Sequence, residues 1–318
     1  AVLRDDGRVF VNGDGAWRNA EVPAAPVGLR YEQVSVRDFG MGLLSDGNIV
    51  IWGATPWLPP AVPALPPSVR YTQVAAGSVQ ALALRSDGIA VGWSQAVWDP
   101  NGLASIPVTI QGQVVKLCAG ASVSLALLRD GSIVAWGPNT YGQLNVPALP
   151  AGMTYRDVSA GSRHGVALRS DGAVVAWGEN TSGQCNVPAL PTGTWYELAG
   201  AGWGHSVAYR SDGVLVPWGD QSLDQADVPD LPKNTRCVQL ACGYHHGVAL
   251  FSNGEVRAWG NNFWRQAHVP RLPRRSTYAG FSAGYYHMLG LLEDGRVVGW
   301  GRNDDGQALP PPALSAMR

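Results

Sequence analysis

The chain has 318 residues, 46% hydrophobic and 15% charged, with a formal net charge of −1. Such a composition can bury a large core and excludes a disordered chain. The near-neutral charge offers no polyanion-binding surface, so nucleic acid is not expected as a partner. Nor is membrane insertion, because no apolar run approaches the ~18 residues of a span.

In chain order, residues 1–30 read as an incomplete unit that opens inside a strand and is degenerate at Asn12-Gly13. From Tyr31 a complete unit begins, and related first strands start near Tyr71, Val114, Tyr155, Tyr196, Cys237 and Tyr278. The glycine that follows Asp or Asn in a tight turn recurs at 7, 47, 88, 131, 172, 213, 254 and 295. The later steps are all 41 residues, as 172 − 131 shows. Glutamines 143, 184, 225, 266 and 307 keep that step, as do tryptophans 136, 177, 218, 259 and 300, with Trp52 and Trp93 ahead of them. The 40 glycines and 23 prolines are spread evenly, as frequent turns require.

Each unit divides into short segments. In 155–188, YRDVSAG reads as strand one, HGVALRS as strand two, AVVAWG as strand three and QCNVP as strand four. The Asp-Gly step between strands two and three predicts a two-residue hairpin turn with positive φ at both central residues. Short, evenly spaced strands without a helical stretch of ten or more residues predict an all-β fold. A period of about 41 residues with four strands is that of a β-propeller blade. A single blade cannot bury both faces, so the units are expected to close into a ring as one domain over 1–318. Eight Asp-Gly-type hairpins but seven first strands leave seven or eight blades open. The partial unit is 1–30 and the complete repeats fill 31–318. The chain stops where another first strand would begin, consistent with a piece of a longer chain.

The chemical motifs are mostly negative. There is no G-x-S-x-G, H-E-x-x-H or phosphate-loop signature. A residue that recurs in every unit is scaffold, whereas an active site needs one unique constellation, so no enzyme, catalytic residue or cofactor is expected. His164, His205, His246 and His287 occupy one equivalent position in four successive units. Equivalent positions spread around a ring do not converge on a metal. The preferred reading is an imidazole bonded to loop backbone within its own blade. Cys118, Cys185, Cys237 and Cys242 have no zinc spacing and read as buried thiols, with a Cys237–Cys242 pairing as the alternative. Asn180-Thr181-Ser182 is a glycosylation sequon that matters only in a eukaryotic source.

The variable loops carry more information. In a four-stranded blade the loops after strands one and three share one face, and the Asp-Gly turns and crossovers take the other. On the first face the inner loops present Arg163, Trp203, Tyr244, His245, Tyr285 and Tyr286. The outer loops present Trp17, Trp57, Trp98, Tyr141 and Trp264, interrupted by Ser182, Leu223 and Asp305. Loop aromatics have no obligatory core role, and Trp, Tyr and Arg dominate binding energy at interfaces. The candidate partner-binding set is therefore Trp203, Tyr244, His245, Tyr285, Tyr286, Arg163, Trp264, Tyr141, Trp98 and Trp57. The alternative for the outer tryptophans is sideways packing on a neighbouring blade.

The order AG-x-x-H, A-L-x-x-D-G, V-x-A-W-G, G-Q resembles the regulator-of-chromosome-condensation repeat family over essentially the whole chain. In style the units are closest to the bacterial propeller-type β-lactamase inhibitors, with WG…GQ…VP. The resemblance implies a propeller, usually of seven blades, that binds other proteins through loops. It leads to the expectation of a non-enzymatic, inhibitor-like binding module for a protein partner, in a secreted or extracellular bacterial setting. A carbohydrate-binding propeller is the alternative, because aromatic faces stack on sugars. A GTPase exchange factor rests on family analogy alone, and a purely structural scaffold remains as the plainest reading.

Overall fold

The computed structural model describes residues 26, 28–29, 31–37, 39–52, 61–95, 97, 99–272, 277–283, 286–292 and 297–301, with strand segments at 2–3 and 9–10. Trp17, Trp57, Trp98, Tyr285 and Asp305 lie outside these residues.

Among the described residues the fold is all-β, in seven three-stranded antiparallel sheets and one two-stranded pair. The pair is β1 (Val2–Leu3) with β2 (Val9–Phe10). Blade 1 holds β3 (Tyr31–Val36), β4 (Gly40–Leu44) and β5 (Ile49–Trp52), and blade 2 holds β6 (Tyr71–Ala76), β7 (Gln80–Arg85) and β8 (Ala90–Ser94). Blade 3 holds β9 (Val114–Ala119), β10 (Ser124–Leu128) and β11 (Ile133–Trp136). Blade 4 holds β12 (Tyr155–Ala160), β13 (His164–Arg169) and β14 (Val174–Gly178), and blade 5 holds β15 (Tyr196–Ala201), β16 (His205–Arg210) and β17 (Leu215–Gly219). Blade 6 holds β18 (Cys237–Cys242), β19 (His246–Phe251) and β20 (Val256–Gly260). Blade 7 holds β21 (Tyr278–Ala283), β22 (His287–Leu292) and β23 (Val297–Gly301). Strand β1 touches β3 of blade 1 and also β21 and β22 of blade 7.

The apolar clusters explain why one unit cannot stand alone. Val123, Leu125, Leu127 and Ile133 of blade 3 pack with Tyr155, Val158, Ala167 and Trp177 of blade 4. Val166, Leu168 and Val174 of blade 4 pack with Tyr196, Ala208 and Trp218 of blade 5. Side chains alternate across a strand. Ala167 of β13 therefore faces blade 3, while Val166 and Leu168 face blade 5. The core is a series of seams between blades, as a solenoid-like repeat requires.

Polar ties follow the same seams. The indole N–H of Trp177 donates to the Gln143 carbonyl at 2.9 Å, and Trp218 to Gln184 at 2.9 Å and Trp300 to Gln266 at 2.8 Å do likewise. At these three seams the WG and GQ motifs of successive units are two halves of one bond, whereas Trp136 bonds the Leu103 carbonyl and the Trp259 indole N–H has no partner among the described residues. Gln73 Nε2 donates to the Leu117 carbonyl and Gln73 Oε1 accepts the Leu117 N–H, serving the free edge of strand one in the next blade. Tyr155 and Tyr196 hydroxyls donate to the Pro147 and Pro188 carbonyls of the preceding Val-Pro segments.

Several expectations are corrected. The described blades have three strands, not four. In the expected fourth strand, the Leu144 amide bonds Asn139 Oδ1, the Val146 amide bonds the Leu144 carbonyl, and Pro147 has no N–H. Donors spent locally cannot pair with a sheet edge. The Asp-Gly turns are three-residue loops: Arg169 N donates to Ala173 O and Gly172 N to Arg169 O. Gly172 has φ +81°, but Asp171 is not among the positive-φ residues, so one left-handed glycine after a type I turn suffices. The four cysteines are free. Cys237 and Cys242 end one strand, and a rise of ~3.3 Å per residue puts them beyond disulfide reach.

Candidate functional site

The loop face is built on a repeated device. A buried glutamine accepts, through Oε1, the backbone N–H of the residue two positions earlier. Tyr141 N bonds Gln143 Oε1 at 2.7 Å, Ser182 N bonds Gln184 at 2.9 Å, Leu223 N bonds Gln225 at 2.7 Å and Trp264 N bonds Gln266 at 2.9 Å. All four glutamines are at most 1% exposed. The invariant side chain thereby fixes the backbone of a rim position whose own side chain varies freely.

Inner and outer loops are joined by backbone. Glu179 N donates to Arg163 O at 2.9 Å, Asp220 N to Gly204 O at 2.8 Å and Asn261 N to His245 O at 2.8 Å. The inner loops also link head to tail, through Ser122 N to Ser162 O and Ser162 N to Gly202 O. The two loop sets therefore share one face, as expected, and form a braced platform.

On this platform the aromatic side chains meet. Trp203 and Tyr244 have ring centroids 4.4 Å apart, and Tyr244 and Tyr286 5.7 Å apart, so one stack crosses blades 5, 6 and 7. His245 stands edge-on to Tyr244 at 4.2 Å. Its Nδ1 lies 3.2 Å from Gln225 Nε2 and 3.6 Å from Asp220 Oδ2. Burial lowers the His245 pKa, against the pull of Asp220. Farther out, Trp264 meets Phe263 edge to face at 4.9 Å, and Phe263 is 79% exposed. Arg163 sits apart from the stack. It lies 4.9 Å over the Tyr141 ring, bonds the Tyr141 hydroxyl at 3.4 Å and pairs with Glu179 at 3.6 Å.

The described candidates thus fall into two groups: Trp203, Tyr244, His245 and Tyr286 in contact, and Arg163 with Tyr141 one blade away. Trp264 pairs with Phe263. Sequence reasoning missed Phe263, Glu179, Asp220 and Gly204. Phe263 was detectable, because it stands where the neighbouring units have Thr140, Thr181 and Ser222. On the opposite face Trp195 is 50% exposed.

His164 bonds between blades rather than within one. His164 Nε2 lies 3.0 Å from Ser206 Oγ in the next blade, and Ser206 donates to the Gln184 carbonyl. With its own proton so committed, Ser206 accepts from His164, which is therefore protonated on Nε2. Gln80 fills the same role in blade 2, reaching Gly120 O at 3.1 Å and Ser124 Oγ at 3.4 Å. Burial, helped by His205 and Arg37, depresses the His164 pKa to about 3. Burial and His245 depress His205 to about 4, against Asp220 and the His246 backbone, which favour the charged ring. Among the described residues no group of three or more His, Cys, Asp or Glu is placed to hold a metal.

Radial sheets joined by interblade Trp–Gln bonds, with variable residues on one braced face, define a repeat β-propeller. Four stretches, 114–143, 155–184, 237–263 and 279–307, match the family model of the regulator of chromosome condensation (RCC1) repeat. The fold is that of an RCC1-like β-propeller. Solved structures agree on the fold. Prp20p from Saccharomyces cerevisiae aligns with TM-score 0.61 and 19% identity, over 74% of this chain and 72% of that one. The CRINKLY WD40 ectodomain of the Arabidopsis thaliana receptor kinase ACR4 gives 0.60 and 20%, over 88% and 96%. Human WBSCR16 gives 0.60 and 19%, over 75% and 78%. No curated protein sequence matches the chain.

Proposed function

We propose that the chain is a non-enzymatic binding module, a single propeller domain over 1–318, that grips a protein partner through the loop face of blades 4 to 7. The observation that carries this reading is the stack of Trp203, Tyr244 and Tyr286, half-buried in loops that three separate blades hold rigid. Rigid, partly desolvated aromatics lose little entropy on binding and are the usual anchors of an interface. Phe263 and Trp264 would extend the contact outward, and Arg163 on Tyr141 would flank it. Inhibitor-like action on one protein target is the specific version of this reading. Prp20p, of the same fold, has binding properties toward Gsp1p and histones, and Kap60 has been captured on it. A carbohydrate site fits less well. The Trp203 and Tyr244 rings lie against each other, and the outer column is broken at Ser182 and Leu223.

The test is affinity capture with mass spectrometry, comparing the intact protein with a Trp203→Ala/Tyr244→Ala/Tyr286→Ala variant of matched circular dichroism. A partner retained only by the intact protein supports the reading. A partner retained equally by both places the interface elsewhere.

A further inference from the structure

The repeat supplies an internal comparison at the rim. In blade 4 the Arg163 guanidinium lies between the Tyr141 ring and the Glu179 carboxylate. A step of 41 residues carries Arg163 to Gly204, Tyr141 to Ser182 and Glu179 to Asp220. The backbone frame is unchanged, since Glu179 N bonds Arg163 O at 2.9 Å and Asp220 N bonds Gly204 O at 2.8 Å. Blade 5 therefore keeps the acid and loses the arginine.

The glycine is not demanded by the backbone. Gly204 is not among the positive-φ glycines, and a Cβ added there would meet only the Asp220 Cβ at 3.6 Å and Ser182 Oγ at 3.9 Å, ordinary contacts. By contrast a Cβ on Gly202 or Gly219 would strike backbone or ring atoms within 3 Å. The missing side chain leaves a notch above Gly204, which is itself buried, with Asp220 and Ser182 as the nearest atoms.

The carboxylate on its wall is only 22% exposed and has no guanidinium or ammonium partner among the described residues. Burial opposes its ionisation. The Ser222 amide and hydroxyl, with His245 and His205, outweigh burial and hold its pKa below the ordinary value. His245, 3.6 Å away, is itself biased toward the neutral ring. An ionised carboxylate offers about four acceptor sites, more than the Ser222 amide and hydroxyl fill, so it can still take a charged donor.

We propose that the notch over Gly204, walled by Asp220 and Ser182, receives an arginine side chain of the protein partner, in the place that Arg163 fills one blade earlier. Arginine suits it better than lysine, because the planar guanidinium can pair with the carboxylate through two parallel N–H bonds. This inference rests on the loop face being the binding face, and it names the chemistry that face selects.

The test pans a random phage-displayed peptide library against the full chain and, in parallel, against Asp220→Asn, Gly204→Arg and Tyr244→Ala variants. The proposal expects peptides enriched in arginine at one position, weakened about tenfold or more by Arg→Ala, and lost on Asp220→Asn and on Gly204→Arg. Peptides that need Tyr244 but show no arginine enrichment, or that bind Asp220→Asn equally well, overturn the notch and leave the loop-face reading standing. Peptides indifferent to Tyr244→Ala count against that reading itself. Independently, Gly204→Arg should melt at or above the parent temperature and lose that gain when combined with Asp220→Asn. A lower melting temperature for Gly204→Arg alone would contradict a guanidinium-sized notch.

Discussion

The indole N–H of Trp177 donates to the backbone carbonyl of Gln143 at 2.9 Å, across the seam between blades 3 and 4 and 34 residues back along the chain. Trp218 and Trp300 repeat the bond to Gln184 and Gln266, and Trp136 makes its counterpart to the Leu103 carbonyl. Trp177→Phe should strand that buried carbonyl and cost about 1–3 kcal/mol, while Trp177→Ala should cost about 3–5 kcal/mol by adding a cavity. Urea denaturation checks both. Equal midpoints for Trp177→Phe and the parent protein would show that the bond is idle.

Gln225 serves the rim and the inner loop together, through the Leu223 amide and His245 Nδ1. Gln225→Ala should leave a sheltered amide unpaired, at about 1–3 kcal/mol. Amide exchange at Leu223 should quicken while exchange at the core strand β16 stays slow. Unchanged exchange at Leu223 would mean that the glutamine does not brace the rim.

The free edge of β9 is held by a side chain rather than a strand. Gln73→Leu removes both bonds to the Leu117 peptide. It should destabilise by about 1–3 kcal/mol, because the partner groups stay buried. A thermal melt reads this, and Gln73→Glu, which keeps the acceptor but loses the donor, should fall between the two.

Acid should loosen the ring through its buried histidines. The folded pKa values of His164, about 3, and His205, about 4, lie below the ordinary imidazole value of 6.5. Below pH 6.5 the unfolded chain takes up protons that the folded chain refuses. Stability is therefore full above that pH and falls as pH drops toward the folded values. His164→Gln copies the residue that blade 2 already uses, Gln80. Its melting temperature should fall less steeply than the parent's between pH 6.5 and about 4. Parallel pH profiles would refute this assignment.

Much of the architecture was legible because it repeats. Trp177, Gln184, Gly172 and Tyr196 each recur at a fixed step, and a fixed step in an all-β chain implies equivalent seams. The fourth strand was not legible, since Leu144 and Val146 read as strand-compatible while their amide donors are spent locally, on Asn139 and on the Leu144 carbonyl. The direction of the histidine bonds was hidden for a related reason. Equivalence says that His164 and His205 sit alike but not that His164 reaches Ser206 in the next blade. At the rim, residue type marked Trp203 and Tyr244. The meaning of Gly204 and Asp220 came only from superposing one blade's contacts on the next.

The central claim is that the partner sits on the loop face. Hydrogen–deuterium exchange of the chain with and without its captured partner tests it most directly. The account predicts slowed exchange at residues 162–163, 203–204, 244–245 and 261–264, with the turns at 86–88, 170–172 and 211–213 unaffected. Protection confined to those turns and to Trp195 would place the interface on the opposite face and contradict it.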